Sequence, residues 1–424
     1  MQKATLATHA GYDSKSGFGS MAVPIYQSTA FDFGSADTAA ARFALRELGP
    51  IYSRLTNPTC DVFEARVAAL EGAAAAISTS SGQAAIFYAV ANLAEAGDNI
   101  IVARKIYGGA TTLLTHTIKR FGIEARVFDA DSSDGLEALI DEKTKAIYFE
   151  TLSNPQIAIP DISGIVEIAK KHGIITIADN TVATPILCNP INLGVNVVVH
   201  SASKYISGQG LNIAGIIASA KQTNSLLVNN PRYAHFNEPD ESYHGLVYAS
   251  LVEVFDLFTL RIRLSLLRDI GATLQPQAAF QLIQGLETLP LRMKAHSQNA
   301  LKIAEFLSTH PKVKSVNYPG LNGDKFQNRA KEYLNGGASG LLSFEVSSAD
   351  AAIAVLDNVK IFSIVVNIGD SKSIITHPAS TTHQQLSAAE LEKAGIAPGL
   401  IRLSVGIEDA KDLIADLDEA LRKI

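Results

Sequence analysis

The sequence predicts an α/β fold with a smaller α+β unit towards its C-terminal end, and three observations predict it. From about residue 60 to 220, short apolar runs alternate with amphipathic stretches; several of those runs are apolar at every position; and beyond about residue 250 long helical stretches take over, followed by isolated strands. Strand and helix in alternation make a sheet with helices on its faces. A run without polar alternation suits a strand buried on both sides of a parallel sheet.

Residues 1–60 lack a clear period and carry Pro24-Ile25-Tyr26 among small and polar residues, which predicts an extended N-terminal arm leaning on another body. Residues 61–255 form the predicted main domain, with the runs Ala74–Ile77, Asn99–Ala103, Ala125–Phe128, Ala146–Phe149, Ile174–Ala178 and Val195–Val199. Ile162, Ile165, Val166, Ile168 and Ala169 recur at helical spacing and place a helix before the fifth run. Residues 223–248 are a polar, aromatic-rich interruption, a kind of segment that is functional or disordered. Residues 256–424 make the smaller domain, with strands expected at Gly340–Val346 and Leu400–Val405 and helices at 348–358 and 409–422.

Composition narrows the function. The chain has 424 residues, 47% hydrophobic and 18% charged, ample for a sizeable core. Net charge is −6 with both signs dispersed, so no basic block points to nucleic acid or a membrane surface. Met1-Gln2-Lys3-Ala4-Thr5 lacks the apolar core of a secretion signal, and no apolar run has the length of a membrane span, so a cytoplasmic protein is expected. Cys60 and Cys188 are too few for a cysteine-rich zinc site and read as reduced, small core residues. The ten histidines show no His-Glu-x-x-His spacing, and no metal is assigned. There is no P-loop and no Gly-x-Ser-x-Gly elbow, and Gly208-Gln209-Gly210 lacks the third glycine of a dinucleotide loop.

In open parallel sheets, ligands bind beyond the carboxyl ends of the strands. The first run leads into Ser81-Gly82-Gln83, the fourth into Asn154, the fifth into Asp179, and the sixth into Ser201, Ser203 and Lys204. This set suits pyridoxal 5'-phosphate. A helix start with a glycine seats a phosphate, a carboxylate keeps a pyridine nitrogen protonated, and a lysine amine forms a Schiff base with the aldehyde. Taken singly, each has a plainer reading: a Ser-Gly caps a helix, an Asp ends a strand at a turn, a lysine is solvated. The combination, in this order along one chain, favours the cofactor.

Asp179-Asn180-Thr181 followed by His200-Ser201-Ala202-Ser203-Lys204-Tyr205 resembles the signature of the Cys/Met-metabolism family of pyridoxal-phosphate enzymes. Tyr52-Ser53-Arg54, Ser80-Ser81-Gly82, Tyr107-Gly108, Asn154-Pro155, His377-Pro378-Ala379-Ser380 and Arg402-Leu403-Ser404 fall in the family's order, so the resemblance covers essentially the whole chain. It implies the aspartate aminotransferase-like fold, fold type I. It implies that Lys204 carries the cofactor and moves protons, Asp179 pairs with the ring nitrogen, and Tyr107 stacks on the ring. Ser81, Gly82, Gln83, Ser201 and Ser203 would hold the phosphate, and Tyr52 and Arg54 would reach the phosphate of a neighbouring subunit in a homotetramer built from dimers. Asn154 would contact the ring hydroxyl or the substrate, Asn367 the substrate, and Arg402 the substrate's carboxylate, which a guanidinium matches in bidentate geometry.

Within the family the chain is similar to the sulfhydrylases that act on O-acetylhomoserine with sulfide or methanethiol. The resemblance lies in the insertion Phe236–Gly245, in Asn367 where the γ-lyases place serine, and in Gly109 where methionine γ-lyases place a cysteine. The insertion is expected to close over the substrate, and Gly109 to widen the floor near Tyr107. Val182 departs from the larger aromatics common at its position. The rival readings are a methionine γ-lyase or cystathionine γ-synthase and, outside enzymes, a binding scaffold.

Overall fold

The structure, a computed structural model, describes residues 1–15, 18–382, 384, 391 and 395–424. Its larger sheet has seven strands: β1 (Ala75–Thr79), β2 (Asn99–Ala103), β3 (Glu124–Phe128), β4 (Thr144–Glu150), β5 (Ile175–Asp179), β6 (Val197–Ser201) and β7 (Gly215–Ser219). Their spatial order is β1-β7-β6-β5-β4-β2-β3. β2, β4, β5 and β6 are buried along nearly their whole length, which is why those runs carry no polar alternation.

The sheet is mixed, and this corrects the expectation of a parallel one. β2 to β6 pair in parallel, but β7 runs antiparallel to both β1 and β6. The other six strands therefore share one direction, and their carboxyl ends share one rim. β7 is Gly215-Ile216-Ile217-Ala218-Ser219, which is not among the expected runs.

Residues 1–60 hold two helices, α1 (Lys3–His9) and α2 (Ala36–Phe43), where only an extended arm is expected. Two turns are too few for a period to show. The arm is tied down next to α3 (Pro58–Glu71): Arg66 Nε donates to the Ala10 carbonyl at 2.9 Å, and Asn57 Nδ2 to that of Tyr26 at 2.8 Å. Asn57 also caps α3 by accepting from the Thr59 N–H, with Pro58 at the first helical position. α4 (Gly82–Ala91) leaves the rim directly after β1, capped by the Ser81 hydroxyl on the Ala84 N–H.

A second sheet has the order β10-β11-β12-β9-β8, from β8 (Ser315–Asn317), β9 (Leu341–Glu345), β10 (Ser363–Ile364), β11 (Ile374–Thr376) and β12 (Leu400–Ser404). β9 and β12 are the two expected strands, paired antiparallel with Arg402 opposite Ser343. Helices Ala349–Asn358 and Ala410–Leu421 fall where expected. The long helix Pro276–Thr309 packs on α1 and α3 at one end and on β8, β9 and the C-terminal helix at the other. Cys60 and Cys188 are free and buried. Among the described residues no helix is long and apolar enough to cross a membrane.

Candidate active site

A cavity of about 390 Å³ opens at the shared rim, between the carboxyl ends of the larger sheet and the loop before β11. One end of it is the start of α4. Ser81, Gly82 and Gln83 line it together with Ser201 and Ser203. A Cβ at position 82 would lie 2.6 Å from that of Ser201 and 2.9 Å from its Cα, so only glycine lets the helix start meet the end of β6. Gln83 Nε2 donates to the Gly109 carbonyl at 2.9 Å, and the Ser203 hydroxyl is shared with the backbone of Ala214. The first-turn N–H groups and the positive end of the helix dipole make this end a seat for an anion.

In the middle, Asp179 accepts from the Thr181 N–H at 2.9 Å and from the Tyr148 hydroxyl at 3.2 Å. Burial raises its carboxyl above the usual range, against the pull of the Thr181 bonds. Lys204 follows β6 in a turn, its N–H donating to the Ser201 carbonyl at 3.2 Å, and its Nζ donates to Asn367 Oδ1 at 2.6 Å. Burial first, and the Arg402 charge second, lower the pKa of its ammonium. The structure thus favours a neutral amine, the form that attacks an aldehyde or takes a proton.

At the far end Arg402 is 4% exposed, and its hydrogen-bond partners are neutral. Nη1 donates to Asn154 Oδ1 at 3.0 Å, and Nη2 to the Asn367 carbonyl at 3.0 Å and Thr376 Oγ1 at 3.3 Å. Among the described residues its Nε is buried without a partner, and burial brings the guanidinium down to about 10. Arg402 lines the cavity, and a buried cation whose partners are all neutral favours an anion beside it.

Tyr107 lies over the floor of the cavity and precedes the short helix Gly108–Thr112. A Cβ at position 109 would come within 2.5 Å of its ring. Gly109 therefore does not widen the floor as expected; the Tyr107 ring fills the space. Val182 lines the cavity, with Leu211, Ile213 and Val366 giving its mouth an apolar border.

One further expectation is not met. Residues 236–245 do not line the cavity: Phe236 is buried under Arg261, whose guanidinium stands 5.4 Å from the ring centroid, and the Tyr243 hydroxyl donates to the Phe43 carbonyl. Tyr52 and Arg54, expected to act on a neighbouring subunit, lie outside the cavity of their own chain, exposed and stacked on each other at 5.1 Å. Sequence reasoning missed Glu150 and Thr181, both in the lining. Glu150 ends β4 as Asp179 ends β5, so the strand-end argument that singled out Asp179 would have found it.

Pyridoxal phosphate makes three demands, and the cavity meets each with an observed feature. They are an anion seat that a Cβ would fill, a buried carboxylate in the middle, and a lysine amine depressed towards neutrality. Arg402, in the lining, offers a place for a second anion.

Comparison with known proteins agrees with this geometry. Residues 4–422 match the family described as Cys/Met metabolism PLP-dependent enzyme. The O-acetyl-L-homoserine sulfhydrylase of Leptospira meyeri is 44% identical, over 99% of this chain and 96% of its own. The homocysteine synthase of Schizosaccharomyces pombe is 43% identical, over 98% of this chain and 97% of its own. A solved structure from Campylobacter jejuni, provisionally assigned as an O-acetylhomoserine (thiol)-lyase and carrying an N'-pyridoxyl-lysine-5'-monophosphate, superposes with a TM-score of 0.97 at 54% identity, over the full length of both chains. Fold and site are those of a fold type I enzyme that depends on pyridoxal phosphate. More narrowly, the chain belongs to the Cys/Met-metabolism family of these enzymes.

Proposed function

We propose that this enzyme catalyses γ-replacement on O-acetylhomoserine, in which sulfide or methanethiol displaces acetate to give homocysteine or methionine. The observation that carries the reading is the placement of Lys204 and Arg402 in one cavity, bridged by Asn367. An amine whose ammonium is depressed and a buried guanidinium with neutral partners are the pair needed to take a proton from an amino acid held by its carboxylate. Full-length relatives named for O-acetyl-L-homoserine supply the substrate.

Pyridoxal phosphate, when bound, supplies an electron sink for negative charge developing at the substrate's Cα. Lys204 takes the Cα proton and returns it once the new Cγ–S bond is made. Arg402 holds the α-carboxylate, and Asn154 and Asn367 fix the plane of its guanidinium. Asp179 keeps the ring nitrogen protonated, and Tyr107 covers the ring. Ser81, Gly82, Gln83, Ser201 and Ser203 hold the phosphate. A second proton is lost from Cβ as acetate leaves Cγ with its bonding pair; the sulfur then brings the pair that replaces it at Cγ, and Cβ and Cα take their protons back. The apolar border of Leu211, Ile213 and Val366 disfavours water as a competitor.

Tyr52 and Arg54 serve the phosphate of a neighbouring subunit, which makes the working unit a dimer with shared sites, doubled to a homotetramer. Residues 1–60 act as the arm, 61–255 as the cofactor domain and 256–424 as the smaller domain. The partners are small molecules in the cytoplasm, an amino-acid ester and sulfide or a thiol. The reading is tested by the ratio of kcat/KM for O-acetylhomoserine with sulfide to kcat/KM for elimination from methionine. A ratio well above one is expected; a ratio below one replaces the reading with a methionine γ-lyase.

A further inference from the structure

One carboxylate in the cavity has no part in the mechanism above. Glu150 ends β4 in register with Asp179 at the end of β5, so both side chains rise on the same face of the sheet. Glu150 is only 6% exposed, and its two oxygens are used separately. Oε1 accepts the Tyr107 N–H at 2.6 Å, and Oε2 accepts the Asn154 N–H at 3.2 Å. Tyr107 lies in the loop after β2 and Asn154 in the loop after β4, so one side chain ties two rim loops together. Asn154 in turn accepts from Arg402. A continuous line of hydrogen bonds runs from the aromatic floor, through Glu150, to the guanidinium.

Keeping that carboxylate buried is costly. Desolvation pushes it well above the ordinary carboxylate range, and the neighbouring Asp179 adds to the rise. Two backbone N–H groups can be satisfied more cheaply by carbonyls or hydroxyls. A carboxylate differs in offering two strong acceptors held at a fixed separation.

We propose that Glu150 is a positioning residue for the reaction: through the backbones of Tyr107 and Asn154 it sets the ring-covering aromatic and the carboxylate-gripping Arg402 as one unit. This rests on the assignment of the cavity to pyridoxal phosphate and an amino-acid substrate.

Glu150→Gln keeps the shape but turns an NH₂ donor towards one of the two N–H groups. Cofactor-free Glu150→Gln is expected to bind pyridoxal phosphate about tenfold more weakly in an absorbance titration, with KM for O-acetylhomoserine raised by about the same factor. Its melting midpoint without cofactor should stay near that of the parent. Combined with Asn154→Ala, which cuts the link to Arg402, the effects on KM should be non-additive, the double variant being little worse than the poorer single one. Glu150→Asp, one methylene short and still anionic, reaches only one N–H and should show a partial loss; it serves in place of Gln if that variant does not fold. Parental cofactor affinity and KM in both variants would overturn the proposal. So would losses that simply follow a fallen melting midpoint, or strictly additive effects on KM. Failure of the underlying assignment looks different: the parent protein itself would then fail to retain the cofactor on Lys204 after borohydride treatment.

Discussion

Lys204 Nζ and Asn367 Oδ1 meet at 2.6 Å, although the lysine follows β6 of the larger sheet and the asparagine precedes β11 of the smaller one. The amine is thus aimed by a residue from the other sheet. Borohydride should fix the cofactor irreversibly to the parent protein, and peptide mapping should place it on Lys204. Lys204→Ala should fix none. Asn367→Ala should still fix it, because the amine remains, but kcat should fall by about tenfold as the amine loses its orientation. Fixation in Lys204→Ala would remove the lysine from its role.

The approach of Gly82 to Ser201 makes Gly82→Ala a sharp probe of the phosphate seat. Overpacking of this kind costs about 1–3 kcal/mol, and it falls where the first turn of α4 faces the cavity. The variant should keep the parent's far-ultraviolet circular dichroism yet bind pyridoxal phosphate at least about tenfold more weakly, since about 1.4 kcal/mol corresponds to that factor. Equal affinity would show that the helix start does not hold the phosphate.

Arg402 acts on both substrate and base. Removing one partner of a desolvated charged contact costs about 2–5 kcal/mol, so Arg402→Ala should lower kcat/KM by about 30-fold or more for every amino-acid substrate alike. It should also move a pH profile. Burial, then the Arg402 charge, depresses the Lys204 ammonium; without that charge the protonated amine is easier to keep, so its pKa rises. Capture of pyridoxal phosphate by cofactor-free Arg402→Ala should therefore require higher pH than in the parent. An unmoved or lowered midpoint would contradict the stated cause.

Tyr52 and Arg54 stand apart from the cavity of their own chain. Arg54→Ala and Lys204→Ala subunits, each inactive alone, should regain activity when mixed and allowed to exchange, because one site in a hybrid dimer then holds both residues. Confirmed hybrids without activity would count against shared sites.

The legible parts of the molecule are those whose signal is local. β2, β4, β5 and β6 stand out because burial on both faces removes polar alternation, and Ser81, Asp179 and Lys204 stand out because each ends an apolar run or closely follows it. What escaped is non-local. Arg402 sits inside β12, and its surroundings converge from Asn154, Asn367 and Thr376, which no spacing relates. Glu150 reads as an ordinary strand-end acid until β5 brings Asp179 beside it. The 236–245 segment is misleading for a related reason: alternating aromatic and polar residues resemble a lid, but Phe236 and Tyr248 are buried and Arg261 covers both rings.

β1 is at the edge of its sheet, and its hydrogen-bonded neighbour is β7, with Ala75 opposite Ser219 and Thr79 opposite Gly215. The strand that comes first off the ribosome is thus docked by the last. Until residue 219 has been made, β1 has no partner strand to fix it. Contacts this distant in sequence carry a large loop-closure cost and form slowly. A chain halted just short of β7 would already contain Lys204 and Asp179, yet its phosphate seat would still be unassembled. The strand that leads into the helix start beside Ser201 is thus fixed only by the last strand of the sheet to be made.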